Sequence, residues 1–401
     1  LGKWFIKSSN IGEGLLRRVA LIYEARHAYD WKFMAGVAAY IHENPGFNVY
    51  LERDALKDQR LPDFHSWQGH GIIANFDHPN VAAAVSRSGL PVVGFGSGYG
   101  WRAPSIPYFF TNNRSIAQMA ADHFLFRGFQ NFAFCGYQKD PINGWSEERE
   151  RNFVAYIKAR GYACPVYVGP QRTTSQWAAV ERAIVEWLTP LRKPVAVMAA
   201  NDSRALDVLE ACRASELRVP EEVAVVGVNN DQVLCELGSP PLTSIEHGTE
   251  RMGYEAAALL ERMMNGEKPR RRRFVIDPVG ITTRRSSDVL AIEDRAVANA
   301  MAFIQVYATK GIKVADVTKA LGISRSGLEA RFDKALSYSV HTAIRRTQME
   351  RARTLVSDTK MPLKQIAANT GFRSVQQMTT LFRKTFLQPP AKYRKNLTRT
   401  N

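Results

Sequence analysis

From Arg18 onward the chain alternates short apolar runs with amphipathic stretches. Residues 19–23 form a first strand candidate, and a helical pattern follows over 30–41 with apolar Trp31, Met34, Ala38 and Ile41. Further strand candidates cover 48–51, 71–74 and 91–94, each separated by a segment of helix length. After about Thr111 the alternation starts afresh. Helices are expected over 116–126, 147–160, 174–188 and 204–214, and strands over 131–135, 164–168, 194–198 and 223–227. A helix over 250–264 and one closing strand over 274–283 complete the region. Repeated β-α alternation implies a parallel sheet with helices on both faces, and the restart near Thr111 implies two such lobes.

Beyond Asp288 the β signal vanishes. The last 112 residues read as at least six helices broken by Gly, Ser or Pro. Within them, 314–332 and 363–382 share one pattern: a short helix, a turn glycine (Gly322 or Gly371), and a second helix ending in Phe and basic residues. The turn glycines lie 49 positions apart. This predicts two helix-turn-helix units. The expected organisation is an α/β domain over 17–288 and an all-α domain over 290–401.

Charge sharpens that division. Of the 401 residues, 1–289 hold 34 basic and 31 acidic side chains, a net +3, whereas 290–401 hold 20 and 7, a net +13. A small domain with that excess repels itself and calls for a polyanionic partner such as nucleic acid or an anionic membrane. The longest apolar runs, such as Val195-Ala-Val-Met-Ala-Ala200, fall well short of the roughly 18 residues of a membrane span. Leu1–Asn10 lacks the apolar core of a secretion signal, so the protein is expected in the cytoplasm; the absence of an initiator Met points to a start upstream. Cys135, Cys164, Cys212 and Cys235 form no CxxC pair and are expected as buried thiols, with no metal site.

In the first helical unit, Ser324 is placed to cap the helix that begins at Arg325. Leu328, Phe332 and Ala335 then face inward, leaving Arg325, Ser326, Glu329 and Lys334 outward. In the second, Arg373, Ser374, Gln376, Gln377 and Thr380 are the candidate reading positions. Arg and Gln are the side chains that pair bidentately with guanine and adenine edges in a major groove. A helix over 340–357 would join the two readers and hold them about one DNA turn, roughly 34 Å, apart. These residues resemble the AraC/XylS family of bacterial transcription regulators over about 293–397. The resemblance is carried by Arg351-Ala-Arg-Thr-Leu-Val356, Ile366-Ala, Gly371-Phe372-Arg-Ser374, Phe382-Arg-Lys384 and Pro390-Ala-Lys-Tyr393-Arg394. Ser337 and Leu387 stand where that family usually has glycine, and Met378 where an aromatic is common.

Residues 17–288 resemble the effector-binding core of LacI/GalR-type repressors, which is similar to periplasmic sugar-binding proteins. The matching stretches are Thr111-Asn-Asn113, Ala199-Ala-Asn-Asp202, Val225-Val-Gly-Val-Asn-Asn230, Pro241-Leu-Thr-Ser-Ile245, Met252-Gly253 and Arg285-Ser-Ser287. The combination with an AraC-type domain resembles the xylose operon regulators, a match strengthened by Ala28-Tyr-Asp30 and Gly322-Ile-Ser-Arg-Ser326. A monosaccharide site needs forked partners for vicinal hydroxyls and an aromatic face for the C–H side of the ring. Candidates fall where open α/β sheets place ligands, after the carboxyl ends of strands: Asp30, Trp145 and Arg149 four residues apart, Asn201, Asp202 and Asn229. In the resembling repressors the position of Asn229 is usually Asp. A helix N-cap is the competing role for Asp202.

Gly94-Phe-Gly-Ser-Gly-Tyr-Gly100 lacks the Lys-Ser/Thr of a phosphate-binding loop and reads as a flexible ligand-side loop; Arg270–Arg273 reads as an exposed turn. No His/Asp/Ser set sits at catalytic spacing, so no enzyme and no cofactor are expected. The resemblances imply a sugar-responsive regulator in which ligand closure of the lobes alters a homodimer. Its expected partners are double-stranded operator or promoter DNA, a monosaccharide (D-xylose by resemblance) and RNA polymerase. The alternative is a sugar-binding or sugar-processing protein with a helical protein-interaction tail.

Overall fold

The computed structural model describes residues 17–23, 28–52, 64, 67–77, 79–97, 105–140, 143–171, 176–292, 294–386 and 388–398. In chain order the α/β region comprises β1 (Arg17–Ile22), α1 (Ala28–Glu43), β2 (Phe47–Glu52), β3 (Gly71–Asn75), α2 (Pro79–Ser86), β4 (Val92–Gly96), β5 (Tyr108–Thr111), α3 (Asn113–Phe126), β6 (Asn131–Tyr137) and α4 (Gly144–Lys158). It continues with β7 (Val166–Gly169), α5 (Trp177–Leu188), β8 (Val195–Ala199), α6 (Asp202–Ala214), β9 (Val223–Val228), α7 (Gln232–Leu237), β10 (Thr243–Glu246), α8 (Thr249–Met264), β11 (Arg273–Ile276) and β12 (Gly280–Thr282). The chain forms two compact units, one of residues 1–110 with 252–275 and one of residues 111–251 with 276–401.

The first unit holds a six-stranded sheet ordered β11-β5-β4-β3-β1-β2. β3 and β4 are buried along their whole length, which is why they read as continuous apolar runs rather than alternating ones. The buried face of α1 is Phe33, Val37 and Tyr40, while Trp31 is half exposed. The expected stripe of Trp31, Met34, Ala38 and Ile41 is therefore one residue out of phase. Two apolar stripes run along this helix, and packing against α8, where Gly253 lies on the Phe33 carbonyl, selects the other.

The second unit's sheet is ordered β12-β10-β9-β8-β6-β7, parallel except for the antiparallel pair β10–β12. Period-two alternation splits its side chains cleanly. Phe132, Phe134, Ala196, Met198, Ala224 and Val226 pack with Ile116 and Phe124 of α3 and Phe153 and Ile157 of α4. Ala133, Cys135, Val195, Val197, Ala199, Val223 and Val225 pack with Val180 and Ile184 of α5 and Ala205 and Val208 of α6. All four cysteines are buried and free, and burial pushes the thiols of Cys135, Cys164 and Cys212 up to about 12. The single strand expected over 274–283 is instead two, β11 in the first sheet and β12 in the second, interrupted at Asp277-Pro278. The short elements α2, β5, α7 and β10 had no separate signal in the pattern. Of the glycine-rich segment expected as a flexible loop, Gly94–Gly96 lie instead in the buried strand β4; its residues 98–100, residues 174–175 of the expected helix, Leu387 and Leu1–Asn10 lie outside the described residues.

Seven α-helices follow among the described residues: α9 (Arg295–Tyr307), α10 (Val314–Leu321), α11 (Arg325–Leu336), α12 (Val340–Asp358), α13 (Leu363–Asn369), α14 (Val375–Phe386) and α15 (Pro390–Thr398). They enclose two small cores that share α12. Its first half gives Val340, Ala343 and Ile344 to the core of α9–α11. Its second half gives Met349, Ala352 and Val356 to that of α13–α15. Between them lies the buried amide of Gln348, which donates to the carbonyls of Ala308 (2.8 Å) and Gly371 (3.2 Å) and accepts from Arg345. Among the described residues no helix is long and apolar enough to cross a membrane.

Candidate functional site

In the second unit the polar residues collect at the carboxyl ends of the strands. α4 begins just after β6, and its second turn carries Arg149 inward, 2% exposed. The guanidinium donates from Nε to Asn113 Oδ1 (2.9 Å), from Nη1 to the Ala200 carbonyl (2.6 Å) and from Nη2 to His247 Nε2 (2.7 Å). A guanidinium has only donors, so His247 accepts through Nε2 and carries its proton on Nδ1. Trp145, one turn earlier, lies beneath Arg149 at 4.7 Å and meets the Tyr137 ring edge-on. The expected pair is thus joined on one face of α4, at cation–π distance.

Asn201 caps α6, its Oδ1 accepting from the Arg204 amide and from the Tyr137 hydroxyl, both at 2.9 Å. Burial pushes the Tyr137 pKa up, which keeps that hydroxyl a donor. The cap is therefore Asn201 rather than Asp202. Asp202 follows it, fully buried, and accepts from the Ser244 hydroxyl and the Asp231 amide, so it fastens α6 to β10 and to the loop after β9. That loop turns through Asn229 (φ +121°) and Asn230 (φ +47°). Asn is among the few side chains that adopt the left-handed region readily, which suits Asn230; Asn229 lies at a wider positive φ. Asn229 is half buried, with its amide on the Ile245 carbonyl. Arg204, wholly buried, pairs with Asp207, bonds the carbonyls of Gly169 and Pro170, and lies over the Tyr137 ring at 4.1 Å, so it holds Tyr137 from behind.

In the first unit Asp30 is buried in the first turn of α1, where a carboxylate suits the helix dipole. The Asn75 amide, at the carboxyl end of β3, donates to it at 3.3 Å.

The two helical units of the last stretch match the expected helix-turn-helix pattern. α10 passes through Gly322 (φ +64°) into α11, and α13 through Gly371 (φ +77°) into α14. Ser324 Oγ accepts from the Gly327 amide, and Ser324, Arg325 and Ser326 are exposed at the start of α11. Glu329 is half buried and accepts from the Val340 amide, tying α11 to α12. Ser374 Oγ accepts from the Gln377 amide while Gln377 Oε1 accepts from the Arg373 amide, a variant of the capping box. Arg373, Ser374, Gln376 and Thr380 are exposed.

Asn113, Tyr137 and His247 were not among the expected site residues. Asn113 lies in the repressor-like stretch Thr111-Asn-Asn113, which was the available signal. His247 follows β10, too short a strand to mark its own carboxyl end.

Residues 18–114 match the XylR N-terminal domain family, 121–287 the periplasmic binding protein-like domain family and 317–396 a helix-turn-helix domain family. The xylose operon regulatory protein of Escherichia coli strain K12 is 32% identical over 380 residues, 94% of this chain and 96% of that one. The protein of the same name from Haemophilus influenzae is 31% identical, with 94% and 98% covered. A solved structure titled "structure of xylose-binding transcription activator xylR" superposes with a TM-score of 0.61 at 31% identity, covering 94% of this chain and 98% of that one. With a two-lobed sensor fold and a pair of helix-turn-helix units in a single chain, this protein belongs to the xylose operon regulatory protein family of DNA-binding transcription regulators.

Proposed function

We propose that this chain senses D-xylose through residues 17–288 and, as a homodimer, adjusts through residues 290–401 the transcription of pentose-catabolism genes, by its hold on operator DNA and by contact with RNA polymerase. The observation that carries the reading is the fixed Arg149 guanidinium stacked on Trp145 at the strand ends of the second unit. An aromatic plate beside a forked cation suits a pyranose, which offers an apolar C–H face and a ring of hydroxyls.

In this reading Trp145 takes the C–H face and Arg149 binds hydroxyl oxygens. Asn229 contributes a mixed donor and acceptor, and Asn201 and Asp202 shape the floor while bonded to their protein partners. Asp30, oriented by Asn75, is the acceptor assigned in its own unit. On DNA, Arg325, Arg373 and Gln376 read base edges, with Ser324, Ser326, Glu329, Ser374, Gln377 and Thr380 contacting phosphate or fixing the helix ends. Isothermal titration of the full chain with D-xylose, L-arabinose and D-glucose tests the sensor half. Saturable binding of D-xylose in preference to the other two is expected, and no binding of any of them would overturn the assignment.

A further inference from the structure

We propose that the second unit contains two struts joining the Arg149 cluster to the DNA readers, and that Arg353 is the positioning residue that fastens one of them. The inference rests on the sensing role proposed above and adds how that site is coupled to DNA.

The first strut is β10–β12. Arg149 grips His247, the residue just after β10, and Asn229 donates its amide to the Ile245 carbonyl within β10. Ile245 is paired with Ile281 of β12, and the Ile281 carbonyl accepts a hydrogen bond from Arg353 Nη2. Arg353 belongs to the second half of α12, the helix shared by both reader cores. Its guanidinium also pairs with Glu350 at 3.1 Å and sits beside Gly280 together with the Tyr393 hydroxyl. Tyr393 in turn packs edge-on against Phe382 in the core beneath the second reader.

The second strut is α3. Its first residue, Asn113, accepts from Arg149. Its last residue, Phe126, gives its carbonyl to the Tyr338 hydroxyl at 2.7 Å, and its ring stacks on Tyr338. Arg346 of α12 covers both rings at 5.3 and 5.2 Å. A 14-residue helix is a stiff rod of about 21 Å. A ligand that shifts Arg149 thereby moves the far ends of both struts, and these ends hold α12 at two places along its length. Neither Arg346 nor Arg353 lies at a reading position, so their charge has this packing role independently of DNA bases.

Coupling between two sites is reciprocal, and factors of roughly 5–150 are usual. The experiment measures the dissociation constant of the full chain for DNA from upstream of its own coding region, with and without D-xylose, and for D-xylose with and without that DNA. Wild type is expected to show one factor of that size in both directions. Arg353→Met keeps the apolar stem and removes the donors. It is expected to bind D-xylose alone and DNA alone within about threefold of wild type but to bring the factor below about twofold. Arg353→Lys, which restores one donor, recovers part of it, and Tyr338→Phe, which removes only a hydroxyl, reduces it partially. Undiminished coupling in Arg353→Met overturns the proposal. Hydrogen exchange tests the strut without any sugar. Binding of DNA is expected to change amide exchange in β10 and β12 of wild type and not of Arg353→Met, and no change in wild type overturns the strut. A wild type that binds no D-xylose but passes the exchange test rejects the effector assignment and leaves the mechanical link standing.

Discussion

Replacing Arg149 by Met removes a cation whose loss is felt before any sugar is added. The guanidinium is 2% exposed and supplies hydrogen bonds to Asn113 Oδ1, the Ala200 carbonyl and His247 Nε2 at 2.9, 2.6 and 2.7 Å. Bonds to a charged donor contribute about 1.5–3 kcal/mol each, and an acceptor left buried and unmet costs about 1–3 kcal/mol. Met fills much of the stem volume and relieves the desolvation of the charge, which offsets part of the loss. Water entering from the strand ends meets another part. The expected net destabilisation is about 3 kcal/mol. In a unit of this size 1 kcal/mol moves the melting midpoint by about 2–4 °C, so the shift is roughly 6–12 °C downward. Thermal unfolding of the ligand-free chain, followed by circular dichroism and by Trp fluorescence, reads it, with Arg149→Lys falling between the two. A midpoint within about 2 °C of wild type refutes the bonding described here. The same result fixes how the sensor is tested: sugar affinity of the variant has to be measured well below its own midpoint.

The two turn glycines separate backbone strain from crowding. At Gly322 a methyl group meets open space, whereas at Gly371 it meets the Ala308 carbonyl, Gln348 Nε2 and the Gly311 amide, each at 2.7 Å. Gly322→Ala is therefore expected to cost about 1–2 kcal/mol of left-handed strain, and Gly371→Ala about 2 kcal/mol more, by urea unfolding. Ser337 ends α11 at φ +56°, so Ser337→Gly is expected to stabilise by about 0.5–1 kcal/mol, and a loss of stability would contradict the left-handed cap. His123 is buried, accepting from Arg127 and donating to Ser287. Desolvation, then the charges of Arg127 and Arg353, hold its pKa well below the usual histidine value. As pH falls through the ordinary value near 6.5, the unfolded chain takes up a proton that the folded chain refuses, so stability is lost. Between about pH 7 and 5.5 wild type should lose roughly 1 kcal/mol more than His123→Gln, and parallel pH profiles would refute the assignment.

The parallel sheets were legible because their central strands bury both faces, so apolar runs such as 131–135 and 195–199 stand out from their surroundings. The reader units were legible for a different reason: Gly322 and Gly371 are required by positive φ, and a net +13 concentrated in one stretch has few other uses. The face of α1 was hidden because a helix with two apolar stripes leaves the choice to its neighbour, here Gly253 on Phe33. The split of 274–283 into β11 and β12 was hidden because both halves are apolar and only sheet membership distinguishes them. Around Arg149, the residue and its stacking partner follow from i, i+4 spacing. Its acceptors do not, since Asn113, Ala200 and His247 come from three separate elements that meet only in the folded sheet. Asp202 and Gln377 show the converse: side chains with chemistry suited to a ligand are here bonded to backbone amides.

Coupling of a pentose sensor to two DNA readers within one chain can be measured directly. Fluorescence anisotropy of the full chain with labelled DNA from upstream of its own coding region, with and without saturating D-xylose at fixed salt, tests it most directly. A change in affinity of at least about fivefold is expected with D-xylose, and little change with L-arabinose or D-glucose. Log K is also expected to fall steeply against log salt, as the basic domain releases counterions. Equal affinity with and without each of the three sugars, or binding indifferent to salt, would contradict these expectations.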